Sequence, residues 1–244
     1  MKDYAWLGRT EALVGQDKLE LLGQKHVLIV GMGGVGSFAA EFLVRAGIGK
    51  LTIVDGDPVE ASNRNRQLPA LVSTEGILKT TVMEQRLKDI NPELELICIP
   101  HFLGPVETTE IVHNSYDFIV DCIDSIMPKV HLIAESVKAG KNIVSAMGAG
   151  GKIDPTKLEI SDISKTHNCR LAFLVRKRLK KHNIKKGFKA VYSTELHHPE
   201  SLLLTNGTPF KRSAYGTISY IPAAFGGACA SVVIRDLINW KEKK

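Results

Sequence analysis

The sequence predicts a doubly wound α/β fold, a mostly parallel sheet with a C-terminal α+β elaboration packed on it. Three observations carry that expectation. Apolar runs without a polar face recur along the chain, as in strands covered on both sides of a parallel sheet. Helical patterns alternate with these runs as far as Gly151. Between the first run and the first of those helices stands Gly31-Met32-Gly33-Gly34-Val35-Gly36, a turn that brings backbone close to a phosphate.

The elements follow in order. Gln16 to Leu22 is an amphipathic segment near the N-terminus, preceded by Arg9. Val27 to Val30 reads as a buried strand, and Gly34 to Ala46 as a helix whose small residues allow close packing. Leu51 to Val54 is the second parallel strand and ends in Asp55-Gly56-Asp57. Ile77 to Ile90 is a helix stopped by Asn91-Pro92. Leu94 to Pro100, Tyr116 to Cys122 and Asn142 to Ala146 are further strands, with a helix from Met127 to Ala139. Beyond Gly151 the pattern changes to a strand at Leu158 to Ile163, a basic helix at Leu171 to Lys181 and short strands at Ala190 to Thr194 and Leu202 to Thr205. Pro222 to Trp240 closes the chain as a long helix. The reading is a Rossmann-like core over 1–151 with an N-terminal helical segment, and an elaboration over 152–244, together one continuous unit.

Charge is uneven. The net charge of +6 is concentrated in residues 176–189, which hold eight Lys or Arg and no acid. Without them the remainder is about −2, so the basicity is a local surface for a polyanion. Cys98, Cys122, Cys169 and Cys229 form no CxxC pair, which speaks against structural zinc and for free thiols in a reducing compartment. No secretory h-region follows the N-terminus, so a cytoplasmic location is expected. The Gly-, Ala- and Ser-rich stretch 217–234 reads as a core helix and not a stable membrane span.

The glycine turn and Asp55, 19 residues beyond Gly36, would suit a dinucleotide with its ribose on the carboxylate. Three features pull away from a dehydrogenase. Arg64, Arg66 and Lys79, with Arg9 as a further candidate, are more cations than two phosphates on a helix N-terminus need; a triphosphate losing pyrophosphate needs them. Asp57 and Asp124 read as ending adjacent strands, where a carboxylate can share Mg²⁺ with phosphate oxygens. His101, His113 and His131 are scattered and supply no hydride-transfer acid/base pair. Against these stand blander readings: Asp57 as a turn residue before Pro58, the arginines as solvated loop charges, Lys79 as an exposed helix residue.

The series GxGGVGS, DxDxVxxSNxNRQ, Lys79 ahead of Ile90-Asn91-Pro92-Glu93, and Asp121-Cys122-Ile123-Asp124-Ser125 resembles the ThiF/MoeB/HesA superfamily of adenylating enzymes. Gly148 to Thr156, Ile160 to Thr166 and Val191-Tyr192-Ser193-Thr194-Glu195 are similar to the tRNA threonylcarbamoyladenosine dehydratase family (TcdA/CsdL). The resemblance implies ATP-dependent adenylation of the threonyl carboxylate on a modified adenosine beside a tRNA anticodon, then cyclisation with loss of AMP. It implies ATP and Mg²⁺ as cofactors, tRNA as partner, a homodimer, and room for a sulfur-relay protein. Gly31, Gly33, Gly34 and Gly36 would form the phosphate loop, Asp55 would bind ribose, Asn63, Arg66 and Lys79 would hold the phosphates, and Asp57 and Gln67 would belong to the same cofactor-binding set. Asp124 would hold Mg²⁺, and Arg9 would reach the γ-phosphate across the dimer. The basic segment would track tRNA phosphates. Where some dehydratases carry Asp-Cys, Lys189-Ala190 stands here, and Cys169 is the nearest alternative thiol. Two alternatives remain, a sulfur-carrier-protein adenylyltransferase of the ThiF/MoeB type and an inactive nucleotide-binding scaffold.

Overall fold

The computed structural model describes residues 5–208 and 211–241. Two short helices, α1 (Gly8–Val14) and α2 (Gln16–Gly23), precede the core. Then come β1 (His26–Val30), α3 (Gly36–Arg45), β2 (Lys50–Val54), α4 (Lys79–Ile90) and β3 (Glu95–Ile99). The second half holds α5 (Pro105–His113), β4 (Phe118–Asp121), α6 (Ile126–Lys138) and β5 (Ile143–Ala146). After it follow β6 (Leu158–Asp162), α7 (Arg170–Leu179), β7 (Lys189–Ser193), the hairpin β8 (Leu202–Thr208) and β9 (Lys211–Tyr215), and α8 (Tyr220–Leu237).

The main sheet has the order β3-β2-β1-β4-β5-β7-β6, parallel throughout except for β6 against β7. The chain winds outward from β1 to β3, returns to β4 on the other side of β1, and winds outward again. The crevice at that reversal, at the carboxyl ends of β1 and β4, is where such sheets take ligands. Strand β1 shows why its sequence is unbroken apolar. Val27 and Ile29 enter one core with α3, α4 and α8, while Leu28 and Val30 enter the other with α5, α6 and α7.

The C-terminal part is more deeply built in than an elaboration laid on the core. Strand β7 extends the parallel sheet beside β5, and β6 pairs with it through Ile160 and Val191. Helix α8 covers α3 and meets it closest at Gly226. A Cβ there would stand 2.7 Å from the Val35 carbonyl oxygen and 2.8 Å from the Phe38 Cβ. Gly226→Ala is therefore expected to cost about 1–3 kcal/mol, read as a lowered thermal midpoint by circular dichroism. An unchanged midpoint would mean that the two helices have slack. No helix of the described residues is long and apolar enough to cross a membrane.

Helix α5 was not expected from the sequence. Its start is fixed by Pro105 in the first turn and by the Glu107 carboxylate, which accepts the Gly104 N–H at 2.7 Å.

Candidate nucleotide-binding site

The glycine turn is closed by backbone. Gly31 has φ +99°, and a Cβ on it would lie 2.8 Å from the Cys122 carbonyl oxygen. A Cβ on Gly36 would lie 1.7 Å from the Gly31 carbonyl oxygen, so only hydrogen fits. Gly34 is pressed between the Arg66 carbonyl and Pro222 of α8, whereas Gly33 faces open space up to the Gln67 side chain. Gly36 is the first residue of α3, so that helix end opens onto the turn, with the Ser37 N–H bonded to the Gly33 carbonyl at 3.2 Å.

Behind the turn sits Asp55, 7% exposed. Its carboxylate accepts the Met32 N–H at 2.6 Å and the Asp57 N–H at 2.8 Å. Burial pushes this carboxyl above the ordinary value, opposed by the Lys79 charge and by the two N–H bonds. Asp55 thus braces the turn from below whatever else it binds. Lys79 begins α4 with its side chain 6% exposed, and its Nζ pairs at 2.9 Å with Asp57, itself 52% exposed. The exposed-helix reading of Lys79 is overturned: its ammonium is buried and directed to the end of β2.

The loop after Asp57 carries the remaining candidates. Asn63 is buried, accepting the Glu60 N–H at 3.2 Å and donating to the Ser62 hydroxyl at 3.3 Å. Arg64 is exposed and bonds only the Ala61 carbonyl, at 3.3 Å, among the described residues. Arg66 donates from Nη1 to the Ser62 carbonyl and to Asn65 Oδ1, both at 2.9 Å, and these neutral partners leave its charge uncompensated. Two buried oxygens lack a hydrogen-bond partner among the described residues, Gln67 Oε1 and Thr80 Oγ1. Both belong to residues at this site: Gln67 lies against Gly33, and Thr80 follows Lys79. An orphaned buried acceptor is what a missing polar ligand leaves behind.

On the other side of β1, Asp121 and Asp124 divide their work. Asp121 ends β4 fully buried and accepts Lys129 Nζ at 2.6 Å, the Ser145 hydroxyl at 2.5 Å and the Ile123 N–H at 3.0 Å. Asp124 stands exposed at the edge, with the Ser125 hydroxyl at 3.3 Å. The expected adjacency of the strands leading to Asp57 and Asp124 is corrected here, because β1 lies between β2 and β4 and the two carboxylates flank the glycine turn. The described residues contain no cluster of three metal-ligating side chains. One carboxylate completed by phosphate oxygens and water still suits Mg²⁺.

Arg9 is exposed on α1, and its side chain makes no hydrogen bond or ion pair with a described residue. His101 pairs with Glu107 at 3.3 Å and His131 Nε2 contacts the Pro105 carbonyl at 2.9 Å, so both belong to the layer around α5. Cys98 is pushed up to about 12, chiefly by burial. The Cys122 thiol is held far above its ordinary value by its hydrogen bond with Cys229 and by burial. Neither is a nucleophile at neutral pH. The triad Asp121–Lys129–Ser145 was not anticipated from the sequence.

Fold and site together define a doubly wound α/β protein whose glycine turn opens at a helix end, with Lys79 and Arg66 on the segment that follows β2. The chain belongs to the ThiF family, whose model matches residues 7–244. It is 43% identical over 187 residues to the tRNA threonylcarbamoyladenosine dehydratase of Bacillus subtilis, covering 77% of this chain and 74% of that one. To the Escherichia coli enzyme of the same name it is 35% identical over 254 residues, covering 96% and 95%. Among solved structures it is similar to E. coli tRNA N6-threonylcarbamoyladenosine dehydratase, TcdA, in complex with ATP, with a TM-score of 0.89 and 34% identity over 98% of this chain and 96% of that one. The same enzyme in complex with AMP matches with a TM-score of 0.89.

Proposed function

We propose that this protein is an ATP-dependent dehydratase of threonylcarbamoyladenosine in tRNA. The observation that carries the reading is the site's cationic rim on a chain that matches, nearly end to end, a dehydratase solved with ATP and with AMP. In the first step a carboxylate oxygen of the threonyl group attacks the α-phosphorus and pyrophosphate leaves. In the second, an atom of the same modification attacks the activated carbonyl carbon and AMP leaves with the former carboxylate oxygen, so the substrate has lost one water.

The protein's part is positioning and charge neutralisation. The Gly31–Gly36 turn and the α3 end hold phosphates. Asp55 binds the ribose, Asp57 stands beside it at the end of β2, and Asn63 and Gln67 fix the nucleotide through their amides. Lys79 and Arg66 neutralise the charge that spreads as pyrophosphate departs, with Lys79 exchanging Asp57 for phosphate. Asp124 would hold Mg²⁺, which screens phosphate charge when bound. Arg9, without a partner among the described residues of its own chain, acts from the second subunit of a homodimer. Of the four cysteines, Cys98 and Cys122 are half-buried and Cys169 and Cys229 buried. The reading places the protein with the tRNA of the cytoplasm.

The tRNA is held by the exposed cations Lys177, Arg178, Lys180, Lys181, Lys185 and Lys186. The test is AMP release with modified tRNA, together with mass spectrometry of its nucleosides. Unchanged ratios of open and cyclic threonylcarbamoyladenosine would refute the reading. Lys180→Glu with Lys181→Glu is expected to weaken tRNA binding and to flatten its log–log salt slope by about 2. An unaltered slope would remove this face from the interface.

A further inference from the structure

The carboxyl edge of the sheet continues past the nucleotide site. β7 runs parallel to β5, so its exit lies on the same edge as the glycine turn, three strands from β1. At that exit is an open cleft of about 590 Å³ lined by Lys157, Asn168, Thr194, Glu195, Leu196 and His198.

Bonds within the protein fix its walls. Asn168 sits at φ +54° and donates from Nδ2 to the Thr194 carbonyl at 3.0 Å. The Thr194 N–H donates to the Lys157 carbonyl at 2.9 Å. The Glu195 carboxylate accepts the N–H groups of Ile153 and Asp154, and the buried Lys152 ammonium donates to the Glu195 carbonyl. With the backbone so occupied, the groups that face a ligand are Asn168 Oδ1, the apolar Leu196, 68% exposed, and two side chains held only at long range, Lys157 Nζ at 3.9 Å from Asp154 and His198 Nε2 at 3.8 Å from Glu195. An apolar wall with a few hydrogen-bonding groups and cations beside it suits a nucleobase attached to a phosphate backbone.

A second observation points the same way. Helix α7 begins two residues after Asn168, and its first turn packs against Gly148 at the end of β5. Its exposed stripe is Arg170, Phe173 and Lys177, continued by Lys180 and Lys181. Phe173 is 56% exposed between cations. An aromatic ring set among cations is how proteins hold unstacked RNA bases.

The geometry points to the β7 cleft as the subsite for the adenine ring of the modified nucleoside, with α7 holding the neighbouring loop nucleotides. This rests on the dehydratase reading above and adds where the base goes. Three strand spacings separate the cleft from the glycine turn, about 14 Å. The threonylcarbamoyl arm spans about 6 Å when extended, and the ring itself covers most of the remainder. A base in the cleft therefore directs its carboxylate along the sheet edge toward the phosphates, and the ring stays clear of ATP. Recognition of the base and activation of the carboxylate occupy separate strands of one edge.

The test uses the full chain with modified tRNA and with the free nucleoside N6-threonylcarbamoyladenosine. Leu196→Asp places a carboxylate on the apolar wall at an exposed position that bears no load in the core. It is expected to raise KM for modified tRNA at least tenfold and to leave ATP affinity unchanged. The free nucleoside is expected to compete with tRNA on the wild type and to lose that competition in Leu196→Asp. Lys177→Glu is expected to weaken tRNA while the nucleoside still competes. If the wild type releases AMP and both Leu196→Asp and Lys157→Glu keep its KM, the cleft is not the base subsite. If the wild type releases no AMP with modified tRNA, the dehydratase reading falls and takes the subsite with it.

Discussion

Lys79→Ala is expected to lower AMP formation by about 100-fold or more while the protein stays folded. The ammonium is buried, but its partner Asp57 is half exposed, so water can solvate the carboxylate left behind. The stability cost is therefore small and the kinetic cost large, because a cation held in place at a departing phosphate acts mostly in the transition state. The fall is expected in kcat, with the KM for ATP little changed. Removing the Lys79 charge also lets burial raise the Asp55 carboxyl further, so ionising it costs the variant stability as pH rises, and the variant's deficit against the wild type shrinks in acid. Arg66→Ala is expected to act in the same direction. Pyrophosphate and AMP release with a parallel thermal melt separate chemistry from folding. Wild-type turnover in either variant would remove that residue from the site.

Lys129→Ala is expected to cost about 3–5 kcal/mol of stability, read from urea unfolding. Both partners of the Lys129–Asp121 pair are fully buried, and losing the cation strands a carboxylate that retains only Ser145 and one N–H. The damage reaches function through backbone. Cys122 follows Asp121, its N–H bonds the Val30 carbonyl at 2.9 Å, and its own carbonyl backs Gly31. A loosened β4 end therefore loosens the phosphate turn, and ATP affinity should fall along with stability. A cost below about 1 kcal/mol would show that the pair is not the sealed unit described.

These two lysines also show what a sequence can and cannot reveal. The turn and the strands from Val27 to Ala146 were legible because glycines and apolar runs sit in a fixed order along one stretch, and Asn63, Arg66 and Lys79 stood out there as candidates by their place after Asp57. Lys79 was legible as a candidate, but its burial was not, because only the fold decides which face of α4 meets β2. Lys129 was invisible: a lysine in an amphipathic helix looks like a surface charge until a buried carboxylate is found opposite it. Asp121 and Asp124 looked alike in Asp121-Cys122-Ile123-Asp124, and only the end of β4 separates the buried anchor from the exposed candidate. The order of strands was not legible either, so β1 was not seen to divide Asp57 from Asp124. Helix α5 escaped because Thr108, Ile111 and Val112 are too few buried positions to raise a period. Its cue was Pro105 and Glu107 after Gly104. The β7 cleft escaped because its lining comes from three separate stretches that the fold joins.

The contact of α8 with the nucleotide turn has a bearing on how the protein is made. Pro222 presses on Gly34, Gly226 seats the helix on α3, and Asn65 Nδ2 donates to the Thr217 carbonyl at 2.9 Å. Residues far along the chain thus hold the glycine turn and the loop after β2 in place. During synthesis the strands of the nucleotide half emerge long before residues 217–237, and chains fold in the order they emerge. The apolar flank of α3 stays uncovered for that interval. The glycine turn is therefore braced last.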